Sequence, residues 1–193
     1  MRETIKSMPF RRRREAKTNY RKRFATVKSG LDRVVIRRTN KRIIAHASRY
    51  TEKGDAVLAY ADSRELSQYK WPSRPNKPTA YLLGLLLAKK VAAKQDLKNE
   101  EFILDIGLSA PVTNSTPFVF AKGCVDGGMK VRNGLDVKES LYNYSDTKYI
   151  KELKEKNPEA YKRQYSGYIK DGIDAEKLNA LFNQVKERIL NAV

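Results

Sequence analysis

Between Arg11 and Arg42 the chain carries fourteen Arg and Lys residues against two acids, Glu15 and Asp32. An ordinary solvated helix face is laced with both signs of charge. A one-signed segment repels itself and costs stability unless an anion neutralises it. The effect is local: residues 1 to 42 hold sixteen basic and three acidic residues, so +13 of the formal +18 of the whole chain falls there. At its densest, RRRREAKTNYRKRF (11–24), eight of fourteen residues are cationic. The natural partner of such a segment is anionic.

Composition narrows the classes. With 193 residues, 40% of them apolar, and with six Phe, eleven Tyr and one Trp, the chain has material for one folded domain with extensions. The single cysteine, Cys124, and the single histidine, His46, exclude an internal disulfide framework and a Cys/His zinc centre. A reducing cytoplasm suits such a chain. The longest apolar run, YLLGLLLA (81–88), is far short of the roughly 20 residues a bilayer span needs, and no apolar stretch follows the basic start. Neither a membrane span nor a secretory signal is expected.

Ala16, Tyr20, Phe24, Val27 and Leu31 recur at helical steps, which predicts a basic amphipathic helix over 16–31 ended by Gly30. The residues before Met8 and Pro9 read as an arm, and residues 1 to 14 should stay poorly ordered without a partner. RVVIRRT, RIIAHAS and AVLAYAD are rich in β-branched and aromatic residues. They are separated by Asn40-Lys41 and by Glu52 to Asp55, which predicts three antiparallel strands. WPSRPNKPT (71–79) cannot be helix or central strand, and it delivers TAYLLGLLLAKKVAAK, a helix apolar nearly all round that should be buried against the sheet. FILDIGLSAP reads as a strand and loop, and PFVFAKGCVDGGMKV as a second helix. The order predicts an α/β domain with a mixed sheet and packed helices.

From Lys151 onward nine basic residues meet seven acidic ones, and the segments are helix-prone. RNA is not the obvious partner of that nearly neutral tail. Leu178, Leu181, Phe182 and Val185 mark one apolar face that must dock on the core or on another macromolecule, with Asp174 as a candidate N-cap. The chain therefore divides into a basic arm and helix (1–30), an α/β core (31–140) and a helical extension (141–193).

Catalytic patterns are thin. GCVDGGMKV places Gly123 and Gly128 as a phosphate loop would, but Met129 displaces the lysine and no Ser or Thr follows. Glycines there let a helix approach the sheet closely and then end. His46 sits in an alternating strand without a neighbouring ligand, and Cys124 reads as a small buried hydrophobe. Asp105, Asp126 and Asp136 could hold Mg²⁺ for phosphodiester cleavage only if they converge; otherwise Asp105 pairs with a basic or backbone group, and the other two serve turns or caps. A nuclease of ribonuclease H-like fold is thus the rival reading.

Arginine outnumbers lysine in the basic segment, and its planar fork grips phosphate bidentately and stacks on bases, while Asn19, Tyr20 and Asn40 add polar and stacking contacts. That mixture favours structured RNA over a membrane surface. TNYRKR (18–23), RVVIRRTNKRI (33–43), the YLLGLLLAKK helix, the LDIGL strand and FVFAKGCVDGGMKVRNG follow one another in order and spacing. In these motifs the chain resembles the universal large-subunit ribosomal proteins that bind 5S ribosomal RNA, called L eighteen in bacteria and archaea and L five in eukaryotes. The resemblance covers residues 1 to about 140, and the tail looks like the helical extension of archaeal and eukaryotic members, an archaeal type.

The resemblance implies a non-catalytic protein with a ribonuclease H-like core, held in the central protuberance of the cytoplasmic ribosome. Its partners would be 5S and 23S-type ribosomal RNA and neighbouring large-subunit proteins, with no cofactor, metal, membrane or small-molecule substrate. TNYRKR and RRTNKR would face RNA. The candidate RNA-binding residues are Arg11, Arg12, Arg13, Arg14, Lys17, Asn19, Tyr20, Arg21, Lys22 and Arg23 in the first segment. Arg37, Arg38, Asn40, Lys41 and Arg42 follow in the second, with Arg74 and Lys77 before the apolar helix. The loop SAPVTNSTP (109–117) has no basic residue where the family has several.

Overall fold

The computed structural model describes residues 8–97, 99–132, 137–143 and 147–191. The basic segment forms α1 (Arg11–Arg14) and α2 (Tyr20–Lys28), followed by β1 (Asp32–Arg38), β2 (Ile43–Thr51) and β3 (Gly54–Asp62). A 3-10 turn (Ser63–Tyr69) and the proline-rich segment lead to α3 (Lys77–Ala92), and then come β4 (Glu101–Asp105), α4 (Thr116–Asp126) and β5 (Lys130–Arg132). The tail is α5 (Thr147–Lys156), α6 (Pro158–Gln164), α7 (Ser166–Lys170) and α8 (Leu178–Asn191).

The five strands lie in the order β3-β2-β1-β4-β5, antiparallel across β3, β2 and β1 and parallel across β1, β4 and β5. This is the mixed sheet expected, with one strand more. β5 escapes the sequence reading because it is three residues long and its MKV merges with the preceding helical pattern. Period-2 alternation sorts the strand residues onto two faces. Val34, Ile36, Ala45, Ala47, Ala59, Ala61 and Phe102 share one buried cluster with α3, α4 and α8. Arg33, Val35, Arg37 and His46 take the opposite face, with Val35 opposite His46 in the register.

The expected helix over 16–31 is shorter. Ala16 adopts a left-handed φ of 50°, and the Asn19 side chain accepts the Lys22 N–H at 3.1 Å, so the helix starts at Tyr20, one turn late. Gly30, at φ 70°, follows its Ser29 cap as predicted. No residue of α2 is buried, so the predicted apolar seam is not a packed one. Arg11 to Arg14 close a single helical turn where an unordered arm was expected, again with no buried residue; residues 1 to 7 lie outside the described residues.

Twelve residues of α3 are buried. Its tightest neighbour is α4 rather than the sheet, which corrects the expectation for the glycine-rich helix. A Cβ on Gly123 would stand 2.2 Å from the Tyr81 carbonyl oxygen, and one on Gly84 would stand 2.3 Å from that of Phe120. The two helices therefore touch backbone to backbone. Cys124 is fully buried, as read from the sequence, and burial pushes its thiol pKa up. The α8 face docks on the core: Phe182 packs on Trp71 and Tyr81 with ring centroids 5.9 and 5.7 Å apart, while Val185 and Ile189 are fully enclosed. Leu178 joins a second cluster with Ile150, Tyr161 and Tyr168. On the free edge of the sheet, the ammonium groups of Lys90 and Lys94 donate to the Tyr60 and Leu58 carbonyls of β3, which discourages pairing with another chain.

Gly123→Ala should destabilise the protein by about 3 kcal/mol through overpacking against backbone that cannot yield, and Phe182→Ala by about 4 kcal/mol through the cavity left among the rings of Trp71, Tyr81 and Tyr142. Urea unfolding checks both. A loss under about 0.5 kcal/mol at either position would mean that the helix contact or the tail docking is not made in solution.

Candidate nucleic-acid interface

On the face of the sheet away from the main core, charge is arranged in a chain. The Arg33 side chain is 3% exposed, and its guanidinium lies 2.6 Å from Asp55 Oδ1 and 3.7 Å from Asp105 Oδ2. Asp55 also receives Arg23 of α2 at 3.0 Å, and Asp105 receives Arg37 at 3.1 Å. Arg23, Asp55, Arg33, Asp105 and Arg37 thus alternate in sign across α2, β3, β1 and β4. Arg37 donates in addition to the Asp105 and Ile36 carbonyls, at 2.9 and 2.7 Å. A buried guanidinium without such partners would be prohibitive.

The chain of charges seats α2 at the mouth of a cleft of about 920 Å³, at the carboxyl ends of the parallel strands β1 and β4. Open α/β sheets offer a crevice at that position. One wall is the segment from Arg12 to Thr26, the floor is Ile36 to Arg38 with Leu104 and Asp105, and the far wall is the loop from Ile106 to Val112 with the start of α4. Lys22 Nζ donates across it to the Ser109 carbonyl at 3.4 Å. Six cations line the cleft (Arg12, Lys17, Lys22, Arg23, Arg37 and Arg38) against the single carboxylate of Asp105. Low-dielectric walls carrying one sign of charge focus the field on an incoming anion.

The sequence-predicted residues divide into two groups. Arg23, Arg37, Arg42 and Arg74 are committed within the fold: Arg42 pairs with Asp62 at 2.9 Å, and Arg74 pairs with Asp171 at 2.7 Å and lies over the Tyr168 ring at 5.0 Å. Arg74 thereby joins the proline-rich loop to the tail. Glu15 takes Arg11 at 3.3 Å and Lys17 at 2.9 Å, both at exposed positions, and Arg12 Nε donates to Thr18 Oγ1 at 2.8 Å. Asn19 caps α2, and the Tyr20 ring lies 5.1 Å from that of Phe10. Arg13, Arg14, Arg21, Arg38, Asn40, Lys41 and Lys77 have no side-chain partner among the described residues. Alternation in RVVIRRT, which puts Arg33 and Arg37 on one strand face opposite an acid-bearing strand, is the signal that could have revealed the buried cation. The loop 106–112 gave none, because it is uncharged.

The acidic candidates do not converge. Asp105 closes the carboxyl end of β4 and is held by two arginines and the Gly107 N–H at 2.8 Å. Asp126 ends α4, which returns to the opposite end of the sheet, and it is held by the Tyr81 hydroxyl at 2.8 Å and Lys122 at 3.1 Å. Burial first, and then the Asp126 hydrogen bond, pushes the Tyr81 pKa up. Asp136 lies outside the described residues. Among the described residues no group of three His, Cys, Asp or Glu could hold a metal ion.

Burial alone would raise the Asp55 carboxyl, but the hydrogen bond and charge of Arg33, joined by Arg23, outweigh it and hold the pKa below the ordinary value. His46, half-buried opposite Val35, is lowered by burial and then by the Arg37 and Arg33 charges, with Asp105 and Asp55 partly opposing. The two groups act in different pH windows. Unfolded histidine gains its proton near pH 6.5, whereas folded His46 stays neutral to lower pH, so stability should fall as pH drops from about 7 and level off once folded His46 protonates. The Asp55 contribution is complete above about pH 4 and is lost as pH falls through its depressed folded value. Urea unfolding over that range should show the first step missing in His46→Gln and the second reduced in Asp55→Asn. Asp55→Asn should also be weaker at neutral pH by about 3 kcal/mol, because Arg33 loses its nearest counter-charge. A first step that persists in His46→Gln would assign it to another group.

A cleft lined by six cations and one carboxylate, with arginines that have no side-chain partner among the described residues, is a surface that suits polyanions. The family model described as "Ribosomal large subunit proteins 60S L5, and 50S L18" matches residues 6–102. The large ribosomal subunit protein uL18 of Thermofilum pendens (strain DSM 2475 / Hrk 5) is 43% identical over 190 residues, covering 96% of this chain and 95% of that protein. The chain belongs to this family of large-subunit ribosomal proteins: it is a structural, non-enzymatic constituent of the large subunit of the cytoplasmic ribosome, with ribosomal RNA and ribosomal proteins as its partners.

Proposed function

We propose that this protein binds 5S ribosomal RNA and helps to anchor it in the central protuberance, against 23S-type RNA and neighbouring proteins. The observation that carries this reading is the cleft, lined by six cations and one carboxylate, together with Arg13, Arg14, Arg21, Asn40 and Lys41, which have no side-chain partner among the described residues. The basic segment 1–30 and the core 31–140 supply that surface. The extension 141–193, nearly neutral and sharing no residue with the cleft lining, serves contacts with protein neighbours. A ribonuclease H-like core belongs to the same reading and is supported by the strand order, with three antiparallel strands continued by two parallel ones.

Titration of the full chain against a 5S transcript at several salt concentrations tests the reading. Contacts to roughly six phosphates predict a slope of log affinity on log salt of about −4 to −5. Replacing Arg21, Lys22 and Arg38 by Ala should flatten it by about 2 to 3 units. Asn40→Ala should change discrimination between RNAs more than slope, since a neutral amide displaces no counterion. An unchanged slope in the triple variant, or equal affinity for 5S and unrelated RNA, would remove the proposal.

A further inference from the structure

The position of Phe24 is the feature the basic surface does not absorb. Helical period groups it with Tyr20 and Val27, yet those two are half-buried while Phe24 is 69% exposed in the middle of α2, a helix without an acid. Tyr20 is already engaged by Phe10 at 5.1 Å. On the helix surface the neighbours of Phe24 are Arg21, three residues before, and Lys28, four after. Both are exposed and have no side-chain partner among the described residues. The next residues on either side, Arg23 and Ala25, line the cleft. A single exposed apolar ring means little by itself. A ring set between two cations that have no side-chain partner among the described residues, on the face of α2 turned away from the cleft-lining Lys22 and Thr26, has the composition of a nucleotide seat: an apolar face for a base and a cation for the phosphate on each side.

We propose that Phe24 is a stacking platform for one unpaired nucleotide of the bound RNA, with Arg21 and Lys28 holding its flanking phosphates. This rests on the reading that the chain binds 5S ribosomal RNA and makes it narrower. The RNA must present a splayed base at this point, because bases within a continuous A-form duplex are stacked on each other and offer no free face. The charge on both sides favours RNA over an apolar side chain from a protein neighbour, which would have to bring acids to meet Arg21 and Lys28.

The test compares Phe24→Ala, Phe24→Leu and Phe24→Trp in the full chain, against 5S transcripts that each carry 2-aminopurine at one unpaired position and against a blunt RNA duplex of similar length. Because Phe24 is exposed, all three variants should unfold at the wild-type urea concentration. Ala and Leu should each weaken 5S binding about tenfold while Trp retains it, with no change in salt slope, since stacking displaces no counterion. One 2-aminopurine position should respond to wild type and Phe24→Trp and not to Ala or Leu, and duplex binding should be equal for all. Full affinity in Phe24→Leu would show an apolar contact without stacking and overturn the proposal. So would variants that bind free 5S RNA normally but fail to enter particles, which would place a protein on Phe24. Failure of the wild type itself to prefer 5S RNA would instead count against the function on which the proposal rests.

Discussion

A guanidinium buried in the middle of a sheet has to be neutralised before anything else in this protein can be built. Arg33 is that group, and Asp55 and Asp105 are its answer, from β3 two strands away on one side and from the adjacent parallel strand β4 on the other. Each carboxylate then draws in one more arginine, so the pairing spreads to Arg23 on α2 and Arg37 at the end of β1. α2 has no buried residue of its own, so its seat comes from this charge chain and not from a hydrophobic stripe. The cleft exists because α2 is held there.

The consequence is a division of labour among cations that look alike in sequence. Arginines bound to carboxylates within the fold shape the surface: Arg23 and Arg37 shape the cleft, Arg42 the β1–β2 turn, and Arg74 the join to the tail. Arginines and lysines left without a counter-charge keep their full hydration in the free protein and can exchange counterions for phosphates. The first group gives the second its geometry. An interface made this way is preorganised where paired Arg37 lies in its floor and paired Arg23 in its wall, and adaptable along α1, where four arginines form one exposed turn.

Much of this was legible in the sequence, for physical reasons particular to each element. β1, β2, β3 and α3 announce themselves because β-branched runs between turn residues, and an apolar run between prolines and lysines, have few other ways to fold. The apolar face of α8 was equally plain. Three features were not. The start of α2 was misplaced because Asn19 captures the Lys22 amide, a local hydrogen bond that overrides a regular apolar period. β5 is too short to carry a period. The glycines of α4 were assigned to sheet packing, whereas they serve contact with α3, and the facing Gly84 went unnoticed within an apolar run. Within the interface, residue type identified the basic positions but not their pairing, because pairing depends on which acids the fold brings near. The uncharged loop 106–112 became a wall only through topology.

The central claim, that charge pairing rather than apolar burial seats α2, is tested most directly by amide hydrogen exchange in Arg23→Met. That substitution leaves Arg33 with both of its carboxylates and retains an apolar stem, so the sheet should stay intact. Protection of the amides from Arg23 to Lys28 should fall by about tenfold or more relative to wild type, while β1, β2 and α3 keep theirs, since a local opening releases only the segment that lost its anchor. Unchanged protection across α2 would contradict the claim and show that the helix is held by something other than Asp55.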